Sequence, residues 1–146
     1  MTCRLYPSRP FLAASVAVFR EGLVLLASRN APPANASFSL PGGLVETGET
    51  LERAALRELE EEVGVAARII GFNDHVEFIE QDSEGKVRHH FVIASFVARW
   101  TRGEPLCGPE AGSVLWADPE KLDGLTLTPG LPRVLMRARR ILQEAR

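Results

Sequence analysis

Thirteen residues in the middle of the chain, Leu51 to Val63 (LERAALRELEEEV), constrain this sequence more than any other stretch. Thr50 is a helix-capping residue type and Gly64 a natural stop, so the segment reads as a helix from about Leu51 to Val63. At about 100° per residue, Leu51, Ala55, Leu59 and Val63 fall between roughly 0° and 120° and form the stripe that faces a core. Glu60 falls near 180°, where a solvated glutamate belongs. Glu62 falls near 20°, inside the apolar stripe, with Glu58 near 340° and Glu61 near 280° at its edge, on the same ~100° step. Like charges at i,i+3 and i,i+4 cost about 0.2–0.5 kcal/mol each in an isolated helix, and desolvation adds to that. A solvated acidic face would spread such residues around the exposed arc. This trio crowds toward the core, and Arg57 alone does not balance it. Hard cations prefer oxygen ligands, so Mg²⁺ or Mn²⁺ is the natural counter-charge.

Immediately before the helix stand Leu40-Pro41-Gly42-Gly43 and Leu44-Val45-Glu46-Thr47-Gly48-Glu49. Consecutive glycines permit positive φ and a close backbone approach. The rest of the chain reads as strands: Phe11–Phe19 and Leu23–Ala27 as a hairpin around Glu21-Gly22, a short piece at Phe38–Leu40, and Val87–Trp100. Ala66–Ile79 is extended but expected to break near Gly71 and Asn73-Asp74. Val114–Trp116 is a further short strand, and Pro132–Ala145 a terminal amphipathic helix with a basic face of Arg133, Arg137, Arg139 and Arg140. Residues 30–37 (NAPPANAS) form a loop. Strands with two helices point to an α/β layered domain with a mixed sheet.

The 146 residues fit one domain spanning 1–146, and 45% apolar with 25% charged residues is an ordinary globular composition. A net charge of −2 offers no broad attraction to nucleic acid or anionic membrane, so polyphosphates would have to be neutralised locally. Two isolated cysteines, Cys3 and Cys107, fit a reducing compartment. Pro7 and Pro10 interrupt any signal-peptide pattern, and the longest apolar runs fall short of a membrane span. The expectation is a soluble, cytoplasmic protein.

Gly43, five residues, Glu49, seven residues, then Arg57-Glu58-Leu59-Glu60-Glu61-Glu62-Val63-Gly64-Val65 resembles the signature of the Nudix hydrolase family. The Leu25–Arg29 strand end and the Leu40–Gly43 turn are similar to that family as well. The resemblance implies a Nudix-type α/β/α sandwich around a mixed β-sheet. It implies that Glu58, Glu61 and Glu62 bind metal or activate water, that Arg57 holds those carboxylates, and that Glu49 supports the loop. A backbone carbonyl at Gly42 or Gly43 would add a metal oxygen. Glu110, six residues before Trp116, resembles a later glutamate of some members, with Glu77 and Glu80 as competitors for that place. Arg29, Gly42 and Gly43 are candidate substrate contacts. His89 and His90 must face opposite sides of their strand; packing or surface roles suit both.

The implied chemistry is Mg²⁺- or Mn²⁺-dependent hydrolysis of a diphosphate link. The layout resembles ADP-ribose pyrophosphatases most, with (d)NTP pyrophosphohydrolases as the alternative and a non-catalytic nucleotide-sensing module as the alternative from another class. The partner is a small nucleotide; a homodimer is among the assemblies the resemblance allows.

Overall fold

The computed structural model describes residues 4–29, 37–107 and 111–145, Arg29 by its backbone alone. The strands are β1 (Phe11–Arg20), β2 (Leu23–Arg29), β3 (Phe38–Ser39), β4 (Gly42–Leu44), β5 (Ala66–Gln81), β6 (Val87–Arg102) and β7 (Ala111–Ala117). The helices are α1 (Leu51–Val63) and α2 (Leu131–Glu144). The sheet order is β3-β2-β1-β6-β5, with β4 added to β1 and β7 to β2. β1 and β6 run parallel, Phe11 beside Phe91 through Phe19 beside Arg99, and the other pairs are antiparallel. The sheet is therefore mixed.

Alternation along β1 divides the core. Ala14, Val16 and Val18 point to one face and pack with Ala54, Ala55, Leu59 and Val63 of α1. Ala17 and Phe19 point to the other and pack with Leu131, Leu135 and Ala138 of α2. A strand buried on both faces reads as a continuous apolar run, which is what Phe11–Phe19 presents. With one helix on each face, the architecture is the expected α/β/α sandwich.

Two elements depart from the sequence reading. β5 does not break at Gly71 and Asn73-Asp74; it runs on to Gln81, and its register against β6 shifts between Ile69 and Gly71 and again between Phe72 and Asp74. The chain absorbs the irregular residues as bulges instead of ending the strand. Gly42–Leu44, which reads as a turn, is a short strand pairing with Ala13–Ser15. Much of the basic face of α2 is engaged within the molecule. Arg137 Nε donates to the Asn73 carbonyl at 2.7 Å, and Arg139 pairs with Glu120. Among the described residues no helix is long and apolar enough to cross a membrane.

Candidate active site

β4 and α1 meet at the glycine pair. Gly42 and Gly43 both lie outside the positive-φ region, so close approach, and not left-handed backbone, is what requires glycine here. A Cβ on Gly43 would stand 2.4 Å from the Glu58 carboxyl carbon; one on Gly42 would stand 2.4 Å from the Ala14 carbonyl oxygen. The Gly43 backbone thus forms one wall around the Glu58 carboxylate. The Gly42 N–H donates to Glu62 Oε1 at 3.2 Å, fastening the last turn of α1 to β4.

Helix α1 begins and ends as its sequence dictates. Thr50 is extended and its hydroxyl accepts from the Arg53 N–H at 3.1 Å; Gly64 is left-handed and its N–H donates to the Glu60 carbonyl at 2.9 Å. Glu60 is exposed, Glu58 and Glu62 are half-buried, and Glu61 is exposed beside them. The helical wheel is borne out for Glu60 and Glu62.

Arg57 organises the group. Its Nε and Nη2 grip the two oxygens of Glu49 at 2.6 and 2.9 Å; Nη2 also reaches the Leu44 carbonyl at 3.0 Å. Its Nη1 donates to Glu58 at 3.0 Å and to Glu61 at 3.3 Å. One planar fork therefore ties the loop before α1, the β4 backbone and two helical carboxylates. The bond to Glu49 and that to Glu58 push the guanidinium above the usual arginine range, while the side-chain bond from Arg57, with the Glu46 N–H, lowers the Glu49 carboxyl to about 2. Both stay charged at any pH near neutrality. The i,i+4 spacing of Arg57 and Glu61 is legible in sequence. The grip on Glu49, eight residues back, and on Leu44, thirteen back, depends on how the loop returns.

The structure brings together Arg57, Glu58, Glu61, Glu62, Gly42 and Gly43. Glu77 and Glu80 stand on β5, which reaches β4 through β6 and β1. Glu80 Oε1 is 2.6 Å from Nδ1 of the buried His89, and Glu77 is exposed opposite Val92. His90 lies on the other face of the strand, half-buried. Arg29 ends β2 beside Ala111, at the limit of the described chain; its side chain, Glu110 and Cys3 lie outside the described residues.

As a donor set, Glu58, Glu61 and Glu62 offer hard carboxylate oxygens of the kind Mg²⁺ or Mn²⁺ takes. Arg57 takes one oxygen of Glu58 and one of Glu61, and the Gly43 wall leaves room at Glu58 that a Cβ would fill. These features fit a divalent cation in chemistry, although among the described residues no three acidic, His or Cys groups are gathered closely enough to form a ready ligand cluster.

Comparison with known proteins agrees with this geometry. The model of the NUDIX domain matches residues 9–138. An ADP-ribose pyrophosphatase of Methanocaldococcus jannaschii is 30% identical over 122 residues, covering 84% of this chain and 69% of that protein. An 8-oxo-dGTP diphosphatase of Escherichia coli is 31% identical over 133 residues, covering 89% of this chain and 98% of that protein. Among solved structures, a MutT NUDIX hydrolase from Burkholderia pseudomallei superposes with a TM-score of 0.78 at 30% identity, covering 89% of this chain and 98% of that one. The chain belongs to the Nudix family and is a hydrolase of phosphorus-containing anhydrides.

Proposed function

We propose that this enzyme hydrolyses the diphosphate bond of a nucleoside diphosphate linked to another group, with ADP-ribose as the first substrate and AMP and ribose 5-phosphate as its products. The observation that carries the reading is the Arg57 fork, which aligns Glu58 and Glu61 beside the Gly43 wall while Gly42 holds Glu62. Glu58, Glu61 and Glu62 would hold Mg²⁺ or Mn²⁺, with the Gly43 carbonyl and Glu110 as further oxygen donors. When bound, the metal supplies charge neutralisation for the diphosphate and a more acidic water.

The work of this chain is then positional. A carboxylate of the trio accepts the proton of the attacking water as its oxygen joins phosphorus, and the anhydride P–O bond breaks toward the leaving phosphate. Arg57, locked by Glu49, keeps those carboxylates from turning away. Gly42, Gly43 and Arg29 would contact the substrate phosphates. The single domain of residues 1–146 and a cytoplasmic setting belong to the same reading.

The alternative substrate class is the (d)NTPs, on which the similar 8-oxo-dGTP diphosphatase of Escherichia coli, covered over 98% of its length, bears without ranking it above ADP-ribose. A panel of ADP-ribose, other nucleoside diphosphate sugars, 8-oxo-dGTP, NTPs, dinucleoside polyphosphates and capped RNA, with Mg²⁺ or EDTA, separates the two. ADP-ribose should give the highest kcat/KM, and EDTA should abolish it. Preferential cleavage of a triphosphate would move the assignment to the second class. Undiminished turnover in EDTA would remove the metal.

A further inference from the structure

The end of α1 that carries Glu61 and Glu62 is closed by a second segment of chain. Leu106 donates its N–H to the Val63 carbonyl at 3.0 Å, satisfying one of the acceptors a helix leaves open at its C-terminus. α1 has no basic side chain in its last turn to do this. Gly103, at φ +96°, lies so close to the helix stop that a Cβ there would stand 2.4 Å from the Gly64 carbonyl oxygen. Residues 103–106 therefore form a strap across the last turn.

Arg20, the final residue of β1, fastens that strap from behind. Its guanidinium carbon stands 3.8 Å from the centre of the Trp100 ring and 5.9 Å from that of Trp116. Its Nη1 donates to both oxygens of Glu104, at 2.9 and 3.1 Å. Trp100 in turn donates its indole N–H to the Gly103 carbonyl at 2.7 Å. A cation between an aromatic face and a carboxylate is held in two directions at once, which a lone surface ion pair is not.

We propose that Arg20 is a positioning residue for the hydrolysis: through Trp100, Glu104 and the 103–106 strap it fixes the last turn of α1, and hence Glu61 and Glu62. The inference rests on the function proposed above for those two carboxylates. Arg20 acts through Trp100, Glu104 and the strap, so its effect is on the placement of the two carboxylates, where a displacement of about 1 Å can cost a hundredfold in rate.

Two variants test this independently. Arg20→Met removes the cation and keeps an unbranched stem; Trp100→Phe keeps an aromatic ring but loses the N–H to Gly103. In each, amide exchange at Leu106 and Gly64 should quicken at least about tenfold, with the amides of α2 unchanged, because the opening is local. Turnover by the intact enzyme should fall at least about tenfold in kcat with KM within about twofold, the pattern of a transition-state interaction lost without a change in substrate binding. Arg20→Lys, which keeps the charge without the fork, should recover only part of both. Unchanged exchange at Leu106 overturns the proposal. So does faster exchange with wild-type kcat, or a loss that spreads equally to the α2 amides and follows the melting midpoint. If wild-type protein cleaves no member of the substrate panel, the proposed function fails, and the exchange data still decide whether Arg20 holds the strap.

Discussion

Gly42 and Gly43 are neighbours, yet a methyl group on each would meet different matter. At Gly43 it meets the tip of a flexible glutamate side chain, which can swing aside; at Gly42 it meets the backbone of Ala14 and Ser15, which cannot move without shifting β1. Gly43→Ala should therefore fold with a melting midpoint near that of wild type while losing roughly a hundredfold in kcat, because Glu58 is displaced. Gly42→Ala should lose about 1–3 kcal/mol of stability from overpacking. Calorimetry and initial rates on both proteins check this, and loss of folding in Gly43→Ala would contradict it. Glu49 gives a prediction in pH. Its carboxyl is depressed to about 2 in the folded protein, chiefly by Arg57, against an unfolded value of about 4.3. A depressed acid contributes stability above its unfolded pKa and loses it as pH falls toward the folded one. Wild type should thus weaken more steeply than Glu49→Gln between about pH 4.5 and pH 2. Urea unfolding at several pH values in that window measures the two slopes, and equal slopes would show that Glu49 does not titrate with folding.

Helix α1 is where sequence and structure agree most closely, because its limits are set by local chemistry: a threonine that can accept an N–H, a glycine that can turn left-handed, and a 3.6-residue period. The same period foretells that Glu60 and Glu62 behave differently toward Mg²⁺. At about a hundredfold excess over its Kd, Mg²⁺ should stabilise wild type and Glu60→Gln alike by about 2.7 kcal/mol, and Glu62→Gln much less. Without metal Glu62→Gln should be no less stable than wild type, since glutamine keeps the acceptor for the Gly42 N–H and sheds a charge. Thermal melts with Mg²⁺ and with EDTA give all six values. A full Mg²⁺ shift in Glu62→Gln would take Glu62 out of the metal site. Other parts of the structure were less legible for a physical reason. β4 is three residues long with two glycines, so no propensity announces it; it exists because β1 offers it partners. The bond of Glu80 to His89 is a cross-strand pair, visible only once β5 and β6 are in register. Arg20 and Trp100 are eighty residues apart in the chain and meet because β1 and β6 run parallel.

Over the whole molecule the sheet separates two apolar layers, and only one of them carries the carboxylates. Leu59 and Leu135 are both fully buried, the first under α1 and the second under α2. Truncating either to alanine should cost about 2–5 kcal/mol. Leu135→Ala should keep wild-type kcat per folded molecule at temperatures well below its midpoint. Leu59→Ala should not, since the cavity lies beneath the turn between Glu58 and Glu61. Equal specific activities would mean that α1 does not rely on this layer for its placement. The far edge of the sheet has a consequence of another kind. β5 is the terminal strand, sixteen residues long, with Phe72 and Ile79 substantially exposed. A straight edge of that length would be a template on which further chains could add, strand upon strand, into an insoluble fibre. The dislocations near Ile70 and Asn73 cut the template into short lengths, and the longest regular stretch, residues 74–80, carries the charges of Asp74, Glu77 and Glu80. The irregularities that look like flaws in the strand thereby interrupt the edge that such addition would need.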